Sequence, residues 1–257
     1  MAALDEMSTI PLRQATLSII IPALNEARYL PAVIRSVRDA ASLKVSHEII
    51  VSDCGSSDGT LELAMSLGAR VVESSPPSGC RAEALNIGAA AAGGDVLLFL
   101  DADTILPHGY DESIMSALKD QGTVGGAFEF AMDGDAFGLR LVELINRVRY
   151  RIWPRYYGDQ GIFVRADVFR VVGGYPSRRI MEASDFCVSL RKKGRLALIR
   201  KCAVTSSRRF IEGGVYNVLA NDIRIWWLDL IGLQTEHFAD AYRDNNRLRG
   251  RVDDESG

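Results

Sequence analysis

The alternation of apolar and polar positions predicts a repeating order of strands and helices in the first part of the chain. Apolar, β-branched runs at Leu17–Ala23 and His47–Asp53 predict strands, and similar runs follow at 69–74 and 95–101. The segment 26–41 carries its apolar residues at helical spacing. Nearly continuous apolar strands separated by helices predict an α/β protein with a mostly parallel sheet covered by helices on both faces.

The same signals continue to the end of the chain with less regularity. Further helices are predicted from near Ser57 or Asp58 to Gly68 and at 79–94. Beyond Ile105 the predicted elements are a strand at 123–133, a helix at 137–153, a strand turning into a helix at 160–175, a helix starting at 182, a strand at 195–199 and a helical tail at about 213–245. No break rich in Pro, Gly or Ser divides the chain, so we predict a single domain over 1–257. Its first residues, Met1 to Ala15, show no clear period and are predicted to form a loose leader.

The composition excludes several classes of protein. The 257 residues are 47% hydrophobic and 25% charged, which is typical of a globular domain. A net charge of −3 indicates no general affinity for nucleic acid. Four cysteines without metal-ligand spacing, and the lack of a secretory signal, predict a cytoplasmic protein with reduced thiols.

The most apolar segment near the end of the chain, 218–233, predicts an amphipathic helix with two tryptophans. Asp222, Arg224 and Asp229 interrupt it, and no apolar run reaches the ~18 residues of a membrane span. Packing in the core or against a second copy of the chain, as a homodimer through this tail, is favoured over peripheral contact with a membrane surface.

Acidic and polar residues follow the predicted strands. Asp101 and Asp103 stand one residue apart directly after the fourth strand, and the other polar strand ends are Asn25, Glu26, Asp53 and Glu73. Ligands of parallel sheets bind at the carboxyl ends of the strands, and neighbouring carboxylates repel each other unless a cation or donor groups offset the repulsion. Although one aspartate of the pair could simply cap a turn, the acidic neighbourhood favours Mg²⁺ or Mn²⁺ bound together with a diphosphate.

Four stretches resemble the enzymes of glycosyltransferase family 2, which have the GT-A fold. They are "SIIIPALNE", "EIIVSDCGSSDGT", "RAEALNIGAAAAGGDVLLFLDADT" and "GDQGIFVRADVFRVVGGYP", in order between Leu17 and Arg209. The blocks "YGDQGIFVR" and "TSSRRF" also resemble a small, single-domain bacterial subgroup, the arsenosugar-type or radical-SAM-associated transferases. The resemblance implies metal-dependent, inverting transfer of a sugar from a nucleotide-diphosphate sugar, usually a UDP-sugar, to an unidentified small-molecule or lipid acceptor.

By this resemblance, residues at about 17–105 bind the donor and those at about 106–210 bind the acceptor. Asp53 would accept a hydrogen bond from the base imide, and Asp101, Ala102 and Asp103 would hold the metal and the ribose. The remaining residues implied to bind the nucleotide are Pro22, Leu24, Asn25, Glu26, Ser56 and Asp58.

Three arginines are candidates for binding the diphosphate. Arg81 begins a predicted helix, where a cation and free backbone N–H groups can hold phosphate; an ordinary exposed ion pair is the alternative. Arg208 and Arg209 lie on a late loop that is implied to close over the diphosphate, and a solvated basic loop is the alternative. Gly126 either allows the backbone to approach the sugar closely or is a bulge glycine.

The proton acceptor of the reaction is harder to assign. The family commonly has a Glu-Asp pair at the start of a helix, but here Ala183 follows Glu182. Either Glu182 or Asp185 would then act as the base, with Asp159 assisting. The alternative is that these acids only favour a helix N-terminus.

Two other functions remain open. A sugar-phosphate nucleotidyltransferase would need a glycine-rich, basic loop after the first strand, and "PALNEARYLP" is neither. A non-catalytic module that binds nucleotide sugars is the alternative that Ala183 suggests.

Overall fold

The structure is a computed structural model that describes residues 15–42, 45–73, 81–233 and 235–239. The strands are β1 Leu17–Ala23, β2 His47–Asp53, β3 Arg70–Glu73, β4 Val96–Phe99, β5 Thr104–Ile105, β6 Thr123–Met132, β7 Ile162–Arg165 and β8 Arg195–Thr205. The α-helices are α1 Leu30–Asp39, α2 Thr60–Ser66, α3 Arg81–Ala90, α4 Tyr110–Leu118, α5 Phe137–Ile152, α6 Ala166–Val172, α7 Glu182–Arg191, α8 Arg208–Gly213 and α9 Val215–Leu230, and 3-10 helices lie at Gly158–Gln160 and Glu236–Phe238.

The strands form one mixed sheet in the order β3-β2-β1-β4-β7-β6-β8-β5. The first four strands in this order are parallel, and β6 is parallel to β8. Strand β7 runs antiparallel to both of its neighbours, with Ile162 opposite Phe99. This reversal brings the 3-10 helix that precedes β7 to the carboxyl end of β4, which is where Asp101 and Asp103 follow.

The predicted cover of helices on both faces of the sheet is confirmed. Alternate residues of β1 point to opposite sides, so Ile20 packs in a core with α3, α5, α6 and α7, while Ile19 and Ile21 pack with α1, α2 and α4. Two apolar layers therefore fix the sheet and leave the loops at the strand ends available for a site.

The structure differs from the predicted elements at β5, α4, the start of α2 and the end of β8. Helix α4 and strand β5 were not predicted; β5 is only two residues long and exists through its pairing with the end of β8. Helix α2 begins at Thr60 because Gly59 precedes it with a φ of 86°, a left-handed conformation that interrupts the helix. Strand β8 extends well beyond 199, to Thr205.

The ends of the chain fall partly outside the described residues. The predicted leader, except for Ala15, and the part of the predicted tail from residue 240 onward lie outside them. Within the described tail, Trp226 is partly buried, whereas Trp227 is 51% exposed, so the two predicted tryptophans differ in their surroundings. Among the helices that the structure describes, none is long and apolar enough to cross a membrane.

Candidate active site at the carboxyl ends of the strands

The loops after β1 and β2 hold each other in place. Asn25 has a φ of 57°, and its backbone N–H donates to Ser56 Oγ at 2.9 Å. In return, the Ser57 N–H donates to Asn25 Oδ1 at 2.9 Å. Leu24 is exposed beside this junction, whereas Pro22 lies within β1, opposite Ser52 of β2.

Asp53 and Asp58 organise the same loops. Asp53 is only 2% exposed and accepts hydrogen bonds from the Gly55 N–H, at 3.0 Å, and from the N–H and hydroxyl of Ser56, at 3.0 and 2.5 Å. Asp58 accepts from the N–H groups of Ala27 and Thr60 and from the Thr60 hydroxyl. Partial burial opposes ionisation of Asp58, but these hydrogen bonds outweigh it and lower the pKa. Both carboxylates therefore stabilise the loop conformation in this structure.

Asp101 and Asp103 follow β4 and are the centre of a cluster of charges. Ala102, between them, is buried, so the two aspartates extend from a fixed backbone. Each is partly exposed, and each pairs with a different arginine: Asp101 with Arg81, and Asp103 with Arg208 at 3.1 Å. The predicted pair of carboxylates is therefore accessible at the strand ends and already bound by cationic groups.

Arg81, the first residue of α3, links both halves of the chain. Its Nη2 donates to Asp101 and its Nη1 donates to Glu182 Oε1 at 2.8 Å. Gly158 packs directly against this bridge, because a Cβ there would lie 2.1 Å from Arg81 Nη2 and 2.7 Å from both Asp101 oxygens. Although burial opposes the charged form, Asp101 and Glu182 outweigh it and raise the pKa of Arg81. Sequence reasoning missed Gly158, even though the "YGDQG" block contains it.

Arg208 forms a second bridge across the site. Its Nη1 and Nη2 donate to the two oxygens of Glu26 at 3.0 and 2.7 Å, a bidentate pair, and Nη2 also lies 3.1 Å from Asp103. The guanidinium carbon lies 4.3 Å from the centre of the Tyr29 ring. The sequence analysis did not predict that Tyr29 contributes to the site. The signal that could have suggested it is its position in the loop after β1, four residues after Asn25.

Asp159 is the least compensated acid of the site. No hydrogen bond or ion pair to its carboxylate is found within the described residues. Burial raises its pKa to about 7; the charges of Asp101 and Asp103 contribute to the increase, and the charges of Arg149 and Arg209 oppose it. Burial likewise raises the pKa of Asp103 to about 6, against the opposing charge of Arg208. The cluster thus contains five carboxyl groups beside its two bridging arginines, and burial disfavours the ionised form of two of them.

The charges and residue types fit a divalent cation held with a phosphate ligand. Asp101 and Asp103 supply hard oxygen ligands, and the raised pKa values of Asp103 and Asp159 indicate that additional positive charge would stabilise the cluster. No group of three or more acids, histidines or cysteines within the described ranges is arranged to enclose a metal ion. An ion bound here would therefore take further ligands from a diphosphate and from water.

The structure separates the two acids of α7 that were predicted as bases. Glu182 faces Arg81 and is 10% exposed. Asp185 instead accepts from Arg178 at 2.5 Å, and the same arginine donates to Asp229 of α9 at 3.0 Å. Asp185 thus belongs to a network that holds α7 to α9, while Glu182 belongs to the charge cluster.

Two further predicted residues lie in other surroundings. Arg209 pairs with Asp222 of α9 rather than with the acids of the strand ends. Gly126 lies inside the sheet opposite Phe163, at the level of Leu98. A Cβ on Gly126 would lie 2.1 Å from the Ala197 carbonyl oxygen, so the close packing of β6 against β8 accounts for this glycine. The residues that the structure brings together are Glu26, Arg81, Asp101, Asp103, Asp159, Glu182 and Arg208.

Comparison with known sequences gives a family match over most of the sheet. Residues 18–174 match the family described as Glycosyl transferase family 2. Glucosyl-3-phosphoglycerate synthase from Mycobacterium tuberculosis is 39% identical over 99 residues, which cover 36% of this chain and 30% of that protein. Glycosyltransferase AglE from Haloferax volcanii is 30% identical over 183 residues, which cover 67% of this chain and 59% of that protein. The matches thus span less than two thirds of the length of these relatives.

Solved structures confirm the predicted GT-A type of α/β fold. The Mycobacterium tuberculosis synthase, in complex with Mn²⁺ and uridine-diphosphate-glucose, has a TM-score of 0.60 at 23% identity, over 86% of this chain and 80% of that chain. Mannosyltransferase PcManGT from Pyrobaculum calidifontis, in complex with GDP-Man and Mn²⁺, has a TM-score of 0.59 at 18% identity, over 82% of this chain and 65% of that chain. At these identities the likeness concerns the fold.

Proposed function

This chain belongs to glycosyl transferase family 2, and on that basis we propose that it transfers a sugar from a nucleotide-diphosphate sugar to an acceptor, with inversion at the anomeric carbon. The observation that carries the proposal is the convergence of Asp101, Asp103, Arg81 and Arg208 at the carboxyl ends of the strands. Carboxylates and guanidinium groups are the side chains that bind a cation and a diphosphate side by side. UDP is the nucleotide we expect.

Asp101 and Asp103 would hold Mn²⁺ or Mg²⁺. When bound, the ion would neutralise the negative charge that develops on the departing diphosphate. Both aspartates now pair with arginines, and a cation would compete for these carboxylates. Arg81 and Arg208 would then be free to donate to phosphate oxygens, for which the planar guanidinium group is well suited.

We assign the proton-accepting role to Asp159. The absence of a partner within the described residues and a pKa of about 7 are the properties that a general base needs near neutral pH. Glu182 instead positions Arg81, and Asp185 holds α7 against α9. A base supplied from the 3-10 helix would account for Ala183 at the position where the family commonly has Asp.

A thermal-shift measurement tests the binding half of this proposal. UDP with Mn²⁺ is expected to raise the melting temperature of the protein, and either compound alone is expected to do so much less. Asp103→Ala should abolish the joint effect, while Asp135→Ala, at an exposed position before α5, should preserve it. An undiminished shift with Asp103→Ala would show that the metal and nucleotide bind elsewhere.

A donor-hydrolysis assay tests the catalytic half. Slow release of UDP from a UDP-sugar is expected from the wild-type protein and should fall by about 10²–10⁴-fold in Asp159→Asn. Asp185→Asn should retain most of the activity. If tight binding of UDP and Mn²⁺ is accompanied by no turnover across a panel of donors, the chain is a nucleotide-sugar-binding module, the function that Ala183 favours as the alternative.

The finer assignments belong to the same proposal. Residues at about 17–105 would bind the donor and those at about 106–210 the acceptor. The "YGDQGIFVR" and "TSSRRF" blocks, which suggest the arsenosugar-type subgroup, contain Asp159 and Arg208 respectively. The described Cys54, Cys187 and Cys202 form no disulfide bond, which is compatible with action in the cytoplasm.

A further inference from the structure

An apolar surface lies at the C-terminal ends of α5 and α9. We name it the docking face, and its side chains are 40% to 65% exposed. They are Leu144, Val148, Ile152, Trp153, Trp227, Ile231 and Leu233. The first three are spaced four residues apart and form one stripe along α5, and Trp227 and Ile231 do the same on α9. A surface of this kind is expected to bind a partner.

The two stripes form a single surface. At the beginning of the helices Gly138 packs against Val215, because a Cβ on the glycine would lie 3.0 Å from Val215 Cγ1. Near their C-terminal ends the Trp153 and Trp226 rings are 5.6 Å apart, and the Trp226 and Trp227 rings are 5.0 Å apart. The helices therefore lie side by side and run in the same direction, and the contacts of Trp226 with Trp153 and Trp227 connect the two stripes.

The exposed charges on these helices all have one sign. In the described α5 and α9 the exposed charged residues are Arg140, Arg151 and Arg224. Arg151 shares the buried carboxylate of Glu129 with Arg147, so two arginines are balanced by one acid there. The acids of the same helices are less exposed and are paired: Glu143 with Arg140, Asp222 with Arg209, and Asp229 with Arg155 and Arg178. The exposed acids nearest to them, Asp133, Asp135 and Glu212, precede the helices at the opposite end. Arg140 lies in the first turn of α5, so the arginines beside the docking face are Arg151 and Arg224.

This combination distinguishes between the partners that could cover the face. In a two-fold dimer the same arginines would approach each other, and Glu236, whose side chain is 42% exposed just after α9, already pairs with Arg178. A bilayer with anionic lipids offers an apolar layer for tryptophan and isoleucine and negative headgroups for arginine. We propose that the docking face binds peripherally to the surface of an anionic lipid bilayer.

The proposal does not depend on the transfer reaction, but it places the candidate active site near the bilayer. Helix α5 leads into the 3-10 helix that carries Asp159, and α9 directly follows α8, which begins with Arg208 and Arg209. The sequence pattern of 218–233 favoured packing over membrane contact. In the structure Trp226 packs against Trp153, whereas Trp227 is 51% exposed, so packing accounts for the first tryptophan and leaves the second for the proposed contact.

Co-sedimentation with lipid vesicles tests the proposal. Wild-type protein is expected to sediment with vesicles of phosphatidylcholine and phosphatidylglycerol, to bind phosphatidylcholine alone weakly, and to be released by added salt. The double substitution Trp227→Ser and Ile231→Ser should lower the partition coefficient by about tenfold or more. Arg224→Gln should lower it about fivefold on anionic vesicles only.

Matched controls test whether reduced vesicle binding comes from the docking face itself. The other possible causes are a general loss of exposed apolar surface and unfolding of the variant. Val171→Ser and Met65→Ser change exposed apolar residues, 66% and 51% exposed, outside the docking face and should leave partitioning unchanged. If the α9 double variant shows no thermal unfolding transition, it is not folded and cannot be interpreted. The double substitution Leu144→Ser and Val148→Ser on α5 then tests the same prediction.

Two outcomes would overturn the proposal. In the first, wild-type protein fails to sediment with anionic vesicles. In the second, light scattering shows a dimer that the α9 double variant converts into a monomer, which would assign the face to contact between copies of the chain.

Discussion

The raised pKa of Asp159 leads to a prediction about stability that needs no ligand. The folded protein holds this carboxyl with a pKa of about 7, whereas its ordinary value is 3.8. As the pH rises through this interval, the unfolded chain loses its proton first, and the folded state must keep the proton or ionise at a cost. The stability associated with the protonated group is therefore complete below the ordinary pKa and is lost as the pH rises to about 7.

The size of the effect follows from the shift. One pKa unit corresponds to about 1.4 kcal/mol, so the full interval corresponds to about 4 kcal/mol. Because part of the carboxylate remains hydrated, we expect Asp159→Asn to raise the free energy of unfolding by about 2 to 4 kcal/mol at about pH 8. At about pH 5 the gain should be about 1 kcal/mol.

Urea unfolding followed by tryptophan fluorescence at the two pH values measures both gains. Asp135→Asn, at an exposed position, serves as the control and should leave stability within about 0.5 kcal/mol at either pH. If Asp159→Asn is no more stable than the wild type at about pH 8, or if its gain is equal at both pH values, the carboxylate is not the uncompensated charge described above.

Three further substitutions test the packing of the site. Gly158→Ala should displace the Arg81 bridge, because its methyl group would lie 2.1 Å from the guanidinium. We expect the free energy of unfolding, measured in urea, to fall by about 1–3 kcal/mol. Calorimetry should show weaker binding of UDP with Mn²⁺. Arg208→Lys keeps the charge but loses the bidentate pair with Glu26. The value of kcat/KM for donor hydrolysis should therefore fall about tenfold or more. Equal activity of the two proteins would exclude a role that requires the guanidinium group. Gly126→Ala should lower the stability of the protein by about 3 kcal/mol or more, because the added methyl group would collide with the backbone of β8. The molecules that remain folded should bind UDP normally. Impaired binding by fully folded protein would instead assign Gly126 to the donor pocket.

Local signals account for the elements that sequence reasoning predicted well. Strands β1 and β2 coincide with their predicted bounds, because each has a centre of three consecutive β-branched apolar residues. Helix α4 was missed although Tyr110, Ile114 and Leu118 recur at helical spacing. One of its buried positions is Asp111, which is satisfied by the backbone and hydroxyl of Ser42, and the apolar pattern cannot show such a contact.

The sequence predicted which acidic residues follow each strand, but it did not predict which residues from other segments would contact them. The pattern indicated that Asp101 and Asp103 follow a buried strand, but their partners come from distant segments. Arg81 meets Glu182 across 101 positions of the sequence, and no local period encodes that pairing. The antiparallel direction of β7, which brings Asp159 into the cluster, depends on tertiary packing in the same way.

The ion pair between Arg208 and Glu26 joins positions 182 residues apart and so determines how much of the chain a working donor site requires. A fragment that stops before β8 could pair its first four strands, yet Glu26 and Asp103 would lack the guanidinium of Arg208 that pairs with them in the full 257-residue chain. Such a fragment is expected to show stronger repulsion among its acids at neutral pH. Reducing the chain to a minimal fragment that binds a nucleotide should therefore fail unless the segment around Arg208 is retained.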